Sequence, residues 1–446
     1  MRTLPLSART LPVAPDPLAI ARALLGAGLR GVALLHSGER APDLLGLGRW
    51  SFVAAEPDRR SARLDPLADD PSFVVAAGAL AFIPRWIGVI PYEGRRAALE
   101  RAAWSTPDAR PAVPLVAPEW HRYPAVVAID HDEGRVLVVG SDRAAVDRLA
   151  VAARAAPILP APSLAVTVTE DEPAAFHAER IAAARELIAR GELYQVNLAR
   201  RLRVRLDSGD ALALYLGLAR RAPTPFGCCL HLDGGLAVAS TSPELLLRAE
   251  PGPGGFRALF TAPIKGTRPR GGDAARDDAL ARELDADPKE RAELTMIVDV
   301  ERHDLGRVAE VGSVRVLSGP RVVTHRTVHH RVALLGARAR AGASREEILA
   351  SMVPSGSVTG APKVRAMEVI AALEPARRGL YTGAIGHVAQ DGGVTLAMAI
   401  RTAVLRGGEG EYWTGGGIVA DSVPEREVEE TRWKAVQLVG AGDRSP

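Results

Sequence analysis

The chain has 446 residues, 47% of them apolar and 24% charged, with a formal charge of +3. Such a composition excludes a mostly disordered chain, and the length calls for one large domain or two subdomains sharing a sheet. Basic and acidic residues alternate instead of gathering into runs, which argues against nucleic acid as a partner.

In chain order, MRTLPLSARTLPVAPDP carries prolines where a signal peptide needs an unbroken apolar run, so a cytoplasmic location is expected. The segment 71–84 lacks charge but is bounded by prolines and is too short to cross a bilayer, so no membrane span is expected. Short candidate strands lie at 32–35 and 125–130. Alanine and proline dominate residues 152–163, AARAAPILPAPS, and an acidic turn follows at 170–172. The main boundary falls there, dividing an N-terminal subdomain, 1–165, from a catalytic domain, 166–446.

Longer alternations of helix and strand follow. Residues 175–190 read as a helix with Ile181, Ala184 and Ile188 on one face and Gly191 as its stop. In YQVNLARRLRVRL, Val196, Leu198, Leu202, Val204 and Leu206 share one strand face, leaving Gln195 and Asn197 on the other. The adjacent Cys228 and Cys229 suit neither a structural disulfide nor a zinc site and read as part of a buried strand. Asp287, Pro288 and Glu290 announce a helix running through Glu293 toward Asp304. Residues 395–402 read as a strand with Leu396, Met398 and Ile400 facing one way and Ala397, Ala399 and Arg401 the other, which leaves room for a ligand beside the guanidinium. Ser422, Pro424 and Glu425 open the last helix, and Glu427, Glu430 and Lys434 follow on one stripe that, taken alone, is a solvated salt-bridged face. Arginine supplies nearly all the positive charge. Only Lys265, Lys289, Lys363 and Lys434 are lysines, and lysines kept against that bias point to a need for an amine.

Five stretches carry more than periodicity: SPELLLR from Ser242, PIKGTRPRG from Pro263, MIVDVERHDLGRV from Met296, GSVTGAPKVRAMEVI from Gly356 and GGGIVADSVPEREVEET from Gly415. In order and spacing they resemble the chorismate-utilising enzymes, a family that includes the first components of anthranilate synthase and aminodeoxychorismate synthase and the isochorismate and salicylate synthases. The resemblance runs from about Ala175 to Val439 and is fainter in LLHSGE at Leu34 and RWSFVAAEP at Arg49. It implies an α/β fold of two packed antiparallel β-sheets surrounded by helices, with the active site in the cleft between.

Chorismate is a small dianion with an allylic hydroxyl and an enolpyruvyl ether, so its site needs anion donors, a metal, a proton donor and a nucleophile. The resemblance implies Mg2+ held by Glu293, Glu427 and Glu430, hard oxygen ligands that suit this ion. It implies Arg401 and Tyr381 on the substrate's carboxylates, with Lys434 and His329 also in the substrate site. Backbone N–H groups at Gly416 and Gly417, and the loop of Ser357, would approach an anion closely, although glycine's ordinary use in a turn also fits. The residues after His329 (His330, Arg331 and Val332), together with His303, Ser355 and His387, depart from the family pattern.

Anthranilate synthases usually read PIAGT where this chain has PIKGT, which resembles aminodeoxychorismate synthase instead. That likeness implies that Lys265 attacks the ring at C2 while Glu244 protonates the departing 4-hydroxyl, and that ammonia then adds at C4 and expels the lysine. Such a lysine must first lose a proton, at a cost of roughly 4 to 5 kcal/mol at neutral pH from an ordinary pKa near ~10.4. Water-adding relatives carry a lysine where YQVNL has Gln195, which argues for ammonia as nucleophile. No GxCxG nucleophile with a companion histidine is present, so ammonia is expected from a separate glutamine amidotransferase subunit. An alternative is anthranilate synthase component I, with the same carboxylates but amination at C2 and loss of pyruvate. A third is a non-catalytic regulatory subunit that binds an aromatic amino acid, since Ser37 in LLHSG resembles part of a tryptophan pocket.

Overall fold

A computed structural model describes residues 5–38, 45–95, 110–111, 113–155 and 163–439. Alternating apolar residues build two large antiparallel sheets with helices packed around them, an α/β fold. The twelve-stranded sheet runs from Ser7–Leu11 through Arg135–Gly140, Ala125–Asp130, Trp50–Ala54 and Ala33–His36 to Phe226–His231 and Leu236–Ser242. It continues through Thr402–Arg406, Glu409–Ile418 and Gln195–Ser208 to Gly360–Ala361, with Ala165–Glu170 also paired to Gln195–Ser208. The ten-stranded sheet runs Ile264–Pro269, Val328–Ala337, Gly255–Ala262, Leu245–Gly252, Val394–Met398, Ala384–Ala389, Pro84–Ile90, Glu119–Arg122, Arg59–Ser61, and Arg315–Thr324 pairs alongside Val328–Ala337. Segments from both sides of residue 165 thus enter both sheets. Residues 156–162 of the alanine- and proline-rich stretch lie outside the described residues.

Between the sheets, Phe52, Val126 and Val238 of one pack with Ile87, Val89 and Ile385 of the other. Helices Pro17–Gly26, Arg143–Arg154 and Ala211–Arg221 cover the outer face of the twelve-stranded sheet, and Pro288–Gly306 and Arg345–Met352 that of the ten-stranded sheet. Cys228 joins the inter-sheet core while Cys229 joins the outer one. Strand alternation sends these neighbours to opposite faces, which explains why both are free. Among the described residues, no helix is long and apolar enough to cross a membrane.

The expected helix at 175–190 forms as Ala174–Ala189 and stops at Gly191, whose φ is +77°. Asp287 opens Pro288–Gly306 by accepting the N–H groups of Lys289 and Glu290. The last helix is Pro424–Val439, but the Ser422 hydroxyl accepts the Val419 N–H and its side chain bonds Glu427.

The stretch expected as one strand at 395–402 is a correction. The strand ends at Met398, Arg401 takes φ +50°, and Thr402–Arg406 pairs in the other sheet. The ladder breaks at Arg401, where the chain crosses from one sheet to the other.

Candidate active site

Two crossovers between the sheets lie side by side. The chain passes from Leu236–Ser242 to Leu245–Gly252 through Glu244, and from Val394–Met398 to Thr402–Arg406 through Arg401. They are bonded together, Met398 N–H to the Glu244 carbonyl at 3.0 Å and Thr241 N–H to the Arg401 carbonyl at 3.1 Å. This pairing fixes a carboxyl and a guanidinium at the rim of both sheets. The Arg401 side chain has no hydrogen-bond partner among the described residues; burial pulls its pKa down, against the opposing charges of Tyr412 and Glu244. A non-glycine residue held at positive φ stores backbone strain, a common companion of function.

Glu244 is buried, and desolvation pushes its carboxyl up to about 7, against stabilising bonds from Ser357 and the charges of Lys265 and Arg401. Ser357 Oγ donates to Glu244 Oε1 at 2.9 Å, and Ser355 Oγ lies 3.2 Å from Ser357 Oγ while also bonding Glu301. Two hydroxyls therefore link two buried carboxyls. Glu301 is also held above its ordinary value, first by burial and then by Asp304. Ser355 was visible in the sequence only as a departure from the family pattern; Glu301 carried no signal apart from its place in MIVDVERHDLGRV.

Lys265 projects from Ile264–Pro269 beside a bulge at Gly266, whose φ of +77° lets the strand shift register against Val328–Ala337. Its Nζ lies 2.9 Å from Glu293 Oε1, which also accepts from Gln195 Nε2 at 3.0 Å. Burial favours the neutral amine, but Glu293, Glu244 and Glu430 outweigh it and hold Lys265 above its ordinary value.

Facing Lys265 are the glycines of Glu409–Ile418. A Cβ on Gly417 would stand 2.1 Å from Gln195 Nε2 and 2.9 Å from Glu293 Oε1, while one on Gly416 would stand 3.2 Å from Glu427 Oε2 and 3.7 Å from Glu430 Oε1. The space left by these two missing side chains is therefore bordered by carboxylate oxygens of all three expected metal ligands. Glu427 is pushed up by burial and by Glu430, while Lys434 outweighs burial to hold Glu430 down. Lys434 Nζ bonds Glu430 Oε1 at 2.7 Å and the Gly415 carbonyl at 2.8 Å. A glycine cradle rimmed by hard oxygens fits Mg2+, which takes few protein carboxylates and keeps water or substrate oxygens for the rest. There Glu293, Glu427 and Glu430 would hold the ion.

Tyr381 stacks on Trp413, with ring centroids 5.9 Å apart, and its hydroxyl lies 2.8 Å from where a Gly415 Cβ would be. Behind it Arg378, fully buried, pairs with Glu374 at 2.6 Å and donates to the carbonyls of Val358 and Asn197. Its guanidinium also lies 5.5 Å from the Tyr381 ring centre. Sequence reasoning missed Arg378, because a lone buried arginine leaves no periodic signal.

His329, expected in the substrate site, uses both ring nitrogens on the protein, Nδ1 with Thr324 Oγ1 and Nε2 with Asp277 Oδ1, each at 2.9 Å. Both nitrogens are thus engaged within the protein. The neighbouring His330 bonds Thr267 Oγ1 at 3.0 Å, has no hydrogen bond at Nε2 among the described residues, and is held neutral first by burial and then by Arg401. Ser37 stands apart from the other site residues. It lines a separate cavity of about 550 Å³ with Arg49, Phe52, Phe226, Arg248 and His387, and its hydroxyl donates to the Pro225 carbonyl at 3.3 Å.

The comparisons with known proteins bear on the family and the fold. Residues 44–440 match the family described as chorismate binding enzyme. Anthranilate synthase component 1 of Streptomyces coelicolor is 37% identical over 91% of this chain and 83% of its own length. An aminodeoxychorismate synthase of Streptomyces griseus is 44% identical over 56% of the chain, a match spanning 34% of that relative. Among solved structures, anthranilate synthase component I of Streptococcus pneumoniae superposes with a TM-score of 0.75 at 26% identity, over 88% of this chain and 92% of its own. With its fold, its carboxylate-rimmed glycines and this match over most of its length, the chain belongs to the chorismate binding enzyme family.

Proposed function

We propose that this enzyme aminates chorismate at C4 to give 4-amino-4-deoxychorismate, the precursor of 4-aminobenzoate, with Mg2+ in its site. The observation that carries the reading is Lys265, a partly buried amine beside the Glu293 carboxylate at the position that reads PIKGT. Arg401 and Tyr381 bind substrate carboxylates, and the N–H groups at Gly416 and Gly417 add donors. Mg2+, when bound, supplies charge to offset the dianion.

Glu244 gives its proton to the departing 4-hydroxyl as Lys265 Nζ bonds to C2 and the ring double bonds shift. A carboxyl with a pKa of about 7 is well matched to that task at neutral pH. Glu293 Oε1, 2.9 Å from Nζ, lies within hydrogen-bond reach of the proton that Lys265 must lose. Ammonia then bonds to C4, the C2–N bond breaks and the double bonds return, which frees Lys265. Gln195 in place of a lysine leaves no amine there to activate water. The ammonia is supplied by a glutamine amidotransferase subunit, a reading supported by the name of the Streptomyces coelicolor relative, anthranilate synthase component 1. Ammonium should replace that partner in vitro. We read the cavity at Ser37 as an effector site for an aromatic amino acid.

A second reading, amination at C2 with loss of pyruvate, is favoured by the identity with anthranilate synthase component 1 over 91% of the chain. Lys265→Ala separates the roles of the amine. It is expected to cut amination far more than chorismate binding, whereas equal losses would make Lys265 a counter-ion only. Glu293→Ala and Glu430→Ala are each expected to abolish Mg2+-dependent turnover; full activity in both would remove the metal assignment.

A further inference from the structure

Away from the cleft, at the seam between the sheets, lies a cluster that the chemistry above does not use. Glu119 and His121 share one face of the strand Glu119–Arg122, and Asp233 sits in the turn between Phe226–His231 and Leu236–Ser242 of the other sheet. Ligand atoms of all three lie within 4.8 Å of one another. His121 is 1% exposed, yet among the described residues neither ring nitrogen makes a hydrogen bond. Buried imidazoles without a hydrogen bond are rare, and two carboxylates near Nε2 with no bond of good geometry suit an ion held between them.

The spacing indicates which. His121 Nε2 stands 3.3 Å from Glu119 Oε1 and 3.6 Å from Asp233 Oδ1. Ligands at ~2.0 to 2.1 Å around a tetrahedral zinc ion lie roughly 3.3 Å apart. The turn is already anchored, because Asp233 N–H donates to Glu119 Oε1 at 2.7 Å. The histidine's neighbour across the strand pair, Arg60, reaches Asp233 Oδ1 at 2.7 Å, but its side chain is 65% exposed and free to swing into solvent. One imidazole with two carboxylates favours a transition-metal dication over Mg2+ or Ca2+, which prefer oxygen alone.

We propose that Glu119, His121 and Asp233 form a zinc site, with water as fourth ligand, that fastens the ten-stranded sheet to the turn of the twelve-stranded one. It owes nothing to the amination reading and stands or falls separately. The test is calorimetric titration of the chelator-stripped full chain with zinc chloride, with Mg2+ in excess to occupy the glutamates of the cleft. One zinc equivalent is expected in wild type and in Glu293→Gln. Asp233→Asn, in a partly exposed turn where folding is not at stake, should weaken zinc at least about 10-fold, and His121→Gln should abolish binding. Arg60→Ala should tighten it by freeing the aspartate, an effect that a purely structural ion-pair network would not produce. No zinc uptake, or uptake unaffected by Asp233→Asn and Arg60→Ala, would overturn the proposal and leave an ion-pair network.

Discussion

At Glu244, chemistry and stability pull in opposite directions. Its folded-state pKa of about 7 exceeds the ordinary value of 4.5, so the folded chain keeps a proton that the unfolded chain releases as pH rises between those values. Ionising the buried carboxyl therefore costs stability through that window, by up to about 3 kcal/mol once pH exceeds 7. Glu244→Gln cannot ionise. It should lose most C4 amination yet melt at a higher temperature than wild type at pH 8, with little difference near pH 4; lower stability at pH 8 would contradict the raised pKa. Ser355→Ala breaks the hydroxyl link between Glu244 and Glu301. It should lower kcat several-fold, leave KM for chorismate unchanged and shift the pH–rate profile, whereas an unmoved profile would make Ser355 structural. Lys265, Glu244, Glu427 and Glu430 stand out in the sequence because each sits in a continuous motif, whereas Glu293 lies three residues before MIVDVERHDLGRV and stands out only through the family resemblance. The hydroxyl link was not, since it joins residues 54 positions apart through a turn.

Elements place these groups through crossovers and caps. The helices of the site were readable because an aspartate, a proline or a glycine marks their ends, as Asp287 does for the helix bearing Glu293. Asp287→Ala removes two N–H bonds and an ion pair with Arg268 and should cost about 1 kcal/mol, checked by chemical denaturation. The crossover at Arg401 was not readable, because alternation continues from Thr395 to Thr402 while the hydrogen-bond partners change sheets. Side-chain periodicity records which face is buried, not which strand lies alongside. In the strand Glu409–Ile418, Gly417→Ala would drive a methyl against Gln195 and Glu293. It should raise the Mg2+ concentration needed for half-maximal activity more than it lowers stability; unchanged Mg2+ dependence would separate this glycine from the metal cradle.

Across the whole molecule, the candidate site forms where the two sheets, each drawing strands from both sides of residue 165, exchange the chain at Glu244 and Arg401. Composition suggests a boundary near residue 165, but strand partnership is non-local, and nothing in the run 152–163 reveals that its flanking segments share sheets. Arg378 ties the Ser357 turn, the strand Gln195–Ser208 and Tyr381 together from within. Arg378→Ala would strand the buried Glu374 carboxylate and should destabilise the fold by about 3 to 5 kcal/mol, read from denaturant midpoints. The most direct test of the whole account is mass spectrometry of the products formed by the purified chain from chorismate, Mg2+ and ammonium at mildly alkaline pH, with no glutaminase or lyase added. The account predicts 4-amino-4-deoxychorismate without anthranilate or pyruvate; anthranilate with stoichiometric pyruvate would contradict the role given to Lys265 and make this an anthranilate-forming enzyme.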